Sequence, residues 1–150
     1  MLHIQPIPKQ ISPLESLARY LYTPSMVIGD RIINTAFELS DLPSGPETSL
    51  SVTRLDYCKS ISLGDLPKAR ISGDKPVGYA QNLWEDWIDC QNDSVSVNIK
   101  SAPSKSNPAH AGIKYYFKGE RITGRHGCFL EPDFQEFLTD ISVRSSFIPL

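Results

Sequence analysis

The sequence predicts an α+β fold, a single small and mostly antiparallel sheet with helices packed on it, in one domain spanning residues 1–150. Three observations lead there. Several segments alternate apolar and polar residues with the period of a strand, while others repeat at helical spacing. The two kinds follow one another in mixed order, without the regular βαβα succession of a parallel sheet. The 12 prolines fall mainly between these segments, at Pro6, Pro8, Pro13, Pro24, Pro43, Pro46, Pro67, Pro76, Pro103 and Pro108. Because proline lacks a backbone donor and fixes φ, those positions read as connections.

In chain order, SPLESLARYLYT reads as a first helix. Ser12 offers an N-cap, Pro13 suits the first helical position, and Glu15 stands three residues after the cap. Leu14, Leu17, Ala18 and Leu21 would form its apolar stripe, and Pro24 would end it. SMVIGDRIINTAFELSD has mixed periodicity and leaves its type open, and Ser44–Glu47 reads as a turn. TSLSVTRL is the clearest strand, with Leu50, Val52 and Arg54 on one face and Ser49, Ser51, Thr53 and Leu55 on the other. An arginine on an apolar strand face must snorkel, pair with an acid or face a cleft.

A brief helix is expected near Asp65–Arg70 and a strand around Val77–Ala80. NLWEDWIDC reads as a short helix capped by Asn82, with Leu83, Trp84, Trp87 and Ile88 on one face. SVSVNIKSA alternates Val95, Val97 and Ile99 against polar neighbours, and HAGIKYYF alternates Ile113, Tyr115 and Phe117. Lys118, Gly119 and Glu120 form a turn into a return strand at Arg121–Thr123. EPDFQEFLTDISV is a last amphipathic helix burying Phe134, Phe137, Leu138 and Ile141. The apolar tail SSFIPL is expected to dock on the core or on a partner.

The totals restrict the function classes. A net charge of −2 and a pI near 5.9 disfavour bulk attraction to nucleic acid or membrane, although a local basic patch stays open. There is no apolar run of membrane-spanning length and no signal-peptide pattern at MLHIQPIPKQ. Cys58, Cys90 and Cys128 are odd in number and widely spaced, which fits reduced thiols and a cytoplasmic address.

Candidate chemistry sits in three places. His110, between a proline-bearing loop and a strand, suits a general base or a ligand orienter, or else a side chain that satisfies its own turn. GERITGRHGC gathers Arg121, Arg125 and His126 among glycines that would let the backbone approach an anion, or it is a solvated hairpin. Trp84 and Trp87, three apart on a short helix, are candidate anchors for a protein partner or core residues. His126 and Cys128 lack the further ligands a metal set needs, so no metal and no cofactor are expected.

Three short segments resemble an uncharacterised family of small bacterial proteins: R-x-x-x-x-x-F at Arg31 and Phe37, S-V-x-R at Ser51, Val52 and Arg54, and P-x-H-A-x-I at Pro108, His110, Ala111 and Ile113. The similarity covers residues 17–113 and carries no function with it. It implies that Arg54 and His110 belong together and that the helical C-terminal part is an addition.

The leading expectation is a small cytosolic protein-interaction or accessory domain, as in a bacterial multi-component operon, with Trp84 and Trp87 meeting the partner. The competing expectation is an enzyme or ligand-binding domain for a phosphate-bearing substrate, a nucleotide or nucleic-acid end. There His110, Arg54 and His126 would be catalytic, and Arg31, Arg121 and Arg125 would hold the ligand. A third, nucleic-acid binding through a Lys and Arg patch, is the one the acidic pI disfavours.

Overall fold

The computed structural model describes residues 7–58 and 76–150. Its main sheet is seven-stranded. The strands are β1 (Ser16–Leu21), β6 (Leu50–Arg54), β7 (Gly78–Leu83), β8 (Val95–Ser101), β9 (His110–Phe117), β10 (Glu120–Arg121) and β11 (Ser146–Pro149). They run β10-β9-β6-β1-β7-β11, with β8 on the far side of β9, and every pair among the described residues is antiparallel. The segment whose type the sequence left open holds a small hairpin, β2 (Val27–Ile28) with β3 (Arg31–Ile32), and a 3-10 turn at Asn34–Phe37. After it β4 (Asp41–Leu42) pairs with β5 (Gly45–Pro46), so the turn expected at Ser44–Glu47 is part of a second hairpin. The helices are α1 (Trp84–Cys90) and α2 (Pro132–Arg144). The helix expected near Asp65–Arg70 lies outside the described residues.

The first predicted helix is instead β1. Leu17 and Leu21, four apart, share a face in a helix and in a strand alike, so their spacing does not discriminate. Leu14 does: a helix would bury it with them, yet it is 72% exposed while both leucines are fully buried. β1 pairs with β6 on one side and along its whole length with β7 on the other, and those two ladders outweigh local helix signals.

Period-two alternation gives the sheet two unlike faces. Leu17, Leu50, Val52, Ala111, Ile113 and Tyr115 are buried on the first face. Rings from both helices meet it there: Tyr115 lies 5.7 Å from Phe134 and 5.9 Å from Phe137, and is stacked 6.3 Å from Trp87. The α2 stripe is buried as its spacing predicts, with Phe134, Phe137, Leu138 and Ile141 all inside.

In α1 the buried stripe is Trp84, Trp87 and Cys90, and Ile88 turns outward. Asn82 does not cap α1, which starts one residue later than expected. It is the last residue but one of β7, accepts a hydrogen bond from Trp87 Nε1 at 2.8 Å and donates to Ser145 Oγ at 2.9 Å. Asp86 takes the Leu83 amide at 2.9 Å and so supplies the cap.

The tail docks on the sheet as β11, antiparallel to β7. Both outer edges are blunted. On β8 the outward amides of Val95, Val97 and Ile99 donate to side-chain oxygens of Asn92, Gln91 and Asn98 at 2.9, 3.0 and 2.9 Å. On β11 the Leu150 amide points inward to Val77 O at 3.1 Å, so alternation leaves the backbone amide of Phe147 on the outer edge, followed by Pro149 with no donor. No helix among the described residues is long and apolar enough to cross a membrane.

Candidate functional site

Arg54 continues the apolar face of β6, as the alternation predicts, and it is completely buried. Its guanidinium is consumed by the protein. Nε donates to Glu15 Oε1 and Nη2 to Glu15 Oε2 at 3.1 Å, a two-pronged pair with a carboxylate that is itself only 4% exposed. Nη1 donates to Pro8 O at 2.6 Å and Ser101 Oγ at 3.4 Å, and Nη2 also reaches Gln10 O at 3.5 Å. The Tyr57 ring lies 4.7 Å from the guanidinium carbon. This geometry ties residues 8–15 to the sheet and leaves no donor of Arg54 for a ligand.

His110 stands on the neighbouring strand, in register with Thr53, so its side chain projects from the opposite face to Arg54. The segments that carry the S-V-x-R and P-x-H-A-x-I resemblance are thus paired strands, but Arg54 and His110 do not share a pocket. The other sequence candidates are dispersed as well. Arg125 pairs with Asp41 at 3.1 Å on the surface. Arg121 donates to Thr48 O at 3.3 Å. Arg31 is exposed on the β2–β3 hairpin.

His126 Nδ1 accepts the Cys128 amide at 3.1 Å and so caps the short turn Gly127–Leu130. The close approach permitted by Gly124 is to the protein's own chain, because a Cβ there would stand 2.0 Å from Ser40 O. Trp84 and Trp87 are 7% and 0% exposed, so neither ring is presented to a partner. Their helical spacing reflects core packing.

The concave site nearest these candidates lies on the second face of the sheet, away from Tyr115. It encloses about 330 Å³; Ala18 and Thr53 form its floor, and Tyr20, Tyr22 and Ser51 its near side. Its far wall comes from the loop Ser104–Asn107 and from His110. That loop is held by short-range polar chemistry typical of Ser and Asn before proline. Asn107 Nδ2 donates to the buried Thr53 Oγ1 at 2.9 Å, Asn107 Oδ1 accepts the Ala109 amide at 3.1 Å, and the Ser104 amide donates to Asn107 O at 3.1 Å.

His110 Nδ1 lies 2.8 Å from Ala102 O. A carbonyl can only accept, so Nδ1 carries a proton and Nε2 is the ring nitrogen left to meet a ligand. Burial, with smaller contributions from Cys58, Tyr22 and Tyr79, pushes the Tyr20 phenol above its ordinary range, so it stays a neutral donor. The site can bind and orient a ligand through rings, hydroxyls and one imidazole nitrogen.

The three thiols do not contribute a nucleophile. Cys58, Cys90 and Cys128 are buried, and burial pushes Cys90 and Cys128 up to about 11 and raises Cys58 as well. No group of three or more His, Cys, Asp or Glu placed to hold a metal occurs among the described residues.

Sequence reasoning did not single out the residues that shape this face: Thr53, Asn107, Tyr20, and farther along the sheet Lys100, Lys114 and Tyr116. Their signal was present as the polar half of each strand's alternation. It carries meaning only once the register sets those halves side by side. Compared with protein-family models, curated proteins and solved structures, the chain matches none.

Proposed function

We propose that the protein is a binding domain for a phosphate-bearing ligand, held on the second face of the sheet while the two helices pack on the first. The observation that carries this reading is the pairing of a ring-walled pocket with a cationic margin. Lys100 lies in register with Gly112, which is in register with Ser51 at the pocket's edge. Carboxylates gather on the helices, Glu85, Asp86 and Asp89 on α1 and Asp133, Glu136 and Asp140 on α2. A net charge of −2 is compatible with a local cationic strip on β8 and β9, strands that carry Lys100 and Lys114 and no acidic residue.

A binding role is favoured over a catalytic one because the polar groups beside His110 are already engaged with one another, Asn107 with Thr53 and Ser104 with Asn107. His110 then orients the ligand through Nε2, and Arg54 is a structural pin. The test is titration of the ¹⁵N-labelled protein with ADP. Amide shifts concentrated at Ser51, Thr53, His110 and Gly112, and abolished in Ser51→Trp, are expected. Shifts confined to the helices, or none at millimolar nucleotide, would overturn the reading.

A protein partner is the second reading, carried by a groove of about 500 Å³ between Ile32 and Ile33, Val143 of α2 and Phe147 of β11. Val143 is 79% exposed there and Arg31 stands on the rim. Val143→Asp would then abolish complex formation with a partner that Ser51→Trp still binds.

A further inference from the structure

We infer that the phosphate-bearing ligand is a single-stranded nucleic acid, lying across β8, β9 and β10 with Tyr116 as a stacking platform and Lys100, Lys114 and Arg121 neutralising its phosphates. This rests on the reading that the second face binds such a ligand, and names the ligand class. The argument starts from register. Tyr116 faces Ser96 on β8 and Arg121 on β10, Lys114 faces Asn98, and Lys100 faces Gly112. Strand alternation puts all of these side chains on the face opposite Tyr115.

Neighbouring strands are about 4.8 Å apart, so the three cations and the ring form one contiguous strip. β8 and β9 contain no acidic residue, and Glu120, next to Arg121, alternates to the other face. No carboxylate pairs with Lys100, Lys114 or Arg121 among the described residues. Cations left unpaired on a surface without acids are complementary to a polyanion.

The shape selects the class of polyanion. A broad sheet face cannot enter a duplex groove, whereas a half-buried ring on it can take the open face of an unpaired base. An acidic protein or a sulfated polysaccharide would satisfy the lysines without using Tyr116. That difference makes the proposal testable.

The experiment is fluorescence anisotropy with a labelled oligouridylate of about twelve nucleotides, titrated with the full chain from about 50 to 200 mM salt. Three phosphate contacts predict a slope of log K against log salt of about −2, from roughly −0.7 per contact on single strands. Lys100→Gln with Lys114→Gln is expected to weaken binding at least about tenfold and to flatten the slope to roughly −0.7. Tyr116→Leu is expected to weaken it about 5- to 100-fold at unchanged slope, because stacking releases no counterions.

The proposal is overturned if the oligonucleotide does not bind, or if it binds with Tyr116→Leu without effect and heparin competing equally, the behaviour of a charge-only surface. If ADP still shifts the Ser51 and His110 amides while the oligonucleotide fails, only this inference falls. If both fail, the reading beneath it falls as well. Both variants alter only surface or half-buried positions, and circular dichroism checks that each retains the fold before titration.

Discussion

Replacing Arg54 by methionine tests the interior pin. The substitution keeps an unbranched, apolar side chain of similar reach but removes every donor. The Glu15 carboxylate, 4% exposed, is then left without its cation, and Pro8 O and Gln10 O lose a donor. Breaking a buried pair by removing one partner costs about 3–5 kcal/mol, because the remaining charge is desolvated and uncompensated. For a chain of this size that is a lowering of Tm by roughly 6–20 °C.

Urea denaturation followed by tryptophan fluorescence reads the loss directly, since Trp87 is fully buried in the core. The double variant Arg54→Met with Glu15→Leu is expected to recover most of it, because replacing both partners by apolar groups removes the stranded charge. Limited proteolysis should cut residues 8–15 sooner in the single variant, since the guanidinium fastens that segment to the sheet. A single-variant cost below about 1 kcal/mol, the range of an exposed ion pair, would refute the assignment and return Arg54 to the pool of ligand-binding candidates.

Asn82→Leu strands the buried Trp87 Nε1 donor and is expected to cost about 1–3 kcal/mol in the same urea assay. Gly124→Ala drives a Cβ into the Ser40 backbone and should destabilise by about 1–3 kcal/mol in thermal unfolding, whereas Gly127→Ala, with open space around it, should be close to neutral. Stability should fall as pH rises from 9.0 towards about 11, the interval between the ordinary thiol value and that of Cys90 and Cys128 in the fold. In that window the unfolded thiols lose protons that the folded ones retain, so the unfolded state is favoured; denaturant midpoints measured across it, compared with a Cys90→Ala, Cys128→Ala variant, check the sign. Gln91→Ala with Asn98→Ala uncovers the Val97 and Ile99 amides on the edge of β8, and light scattering should show more self-association than in the parent chain.

By itself the sequence determined the coarse class, α+β with a mostly antiparallel sheet, and several of the elements, because alternation and helical spacing are local properties. β6, β8, β9, α2 and the turn at Lys118 and Gly119 could be read from it, the last because two successive positive φ angles suit that turn. So could the position of Arg54 on an apolar face. Tertiary structure decided what local pattern leaves degenerate. Leu17 and Leu21 fit a helix or a strand equally, and only two flanking ladders made β1 a strand. Trp84 and Trp87 fit an exposed anchor or a core, and only the rings of Phe37, Phe137 and Tyr115 around Trp87 show it to be core. Arg54 found Glu15 across 39 residues of chain, and His110 projected from the opposite face through a register no single strand contains. A site is a set of side chains that share a face and a register, and those are relations between strands that a linear pattern does not encode.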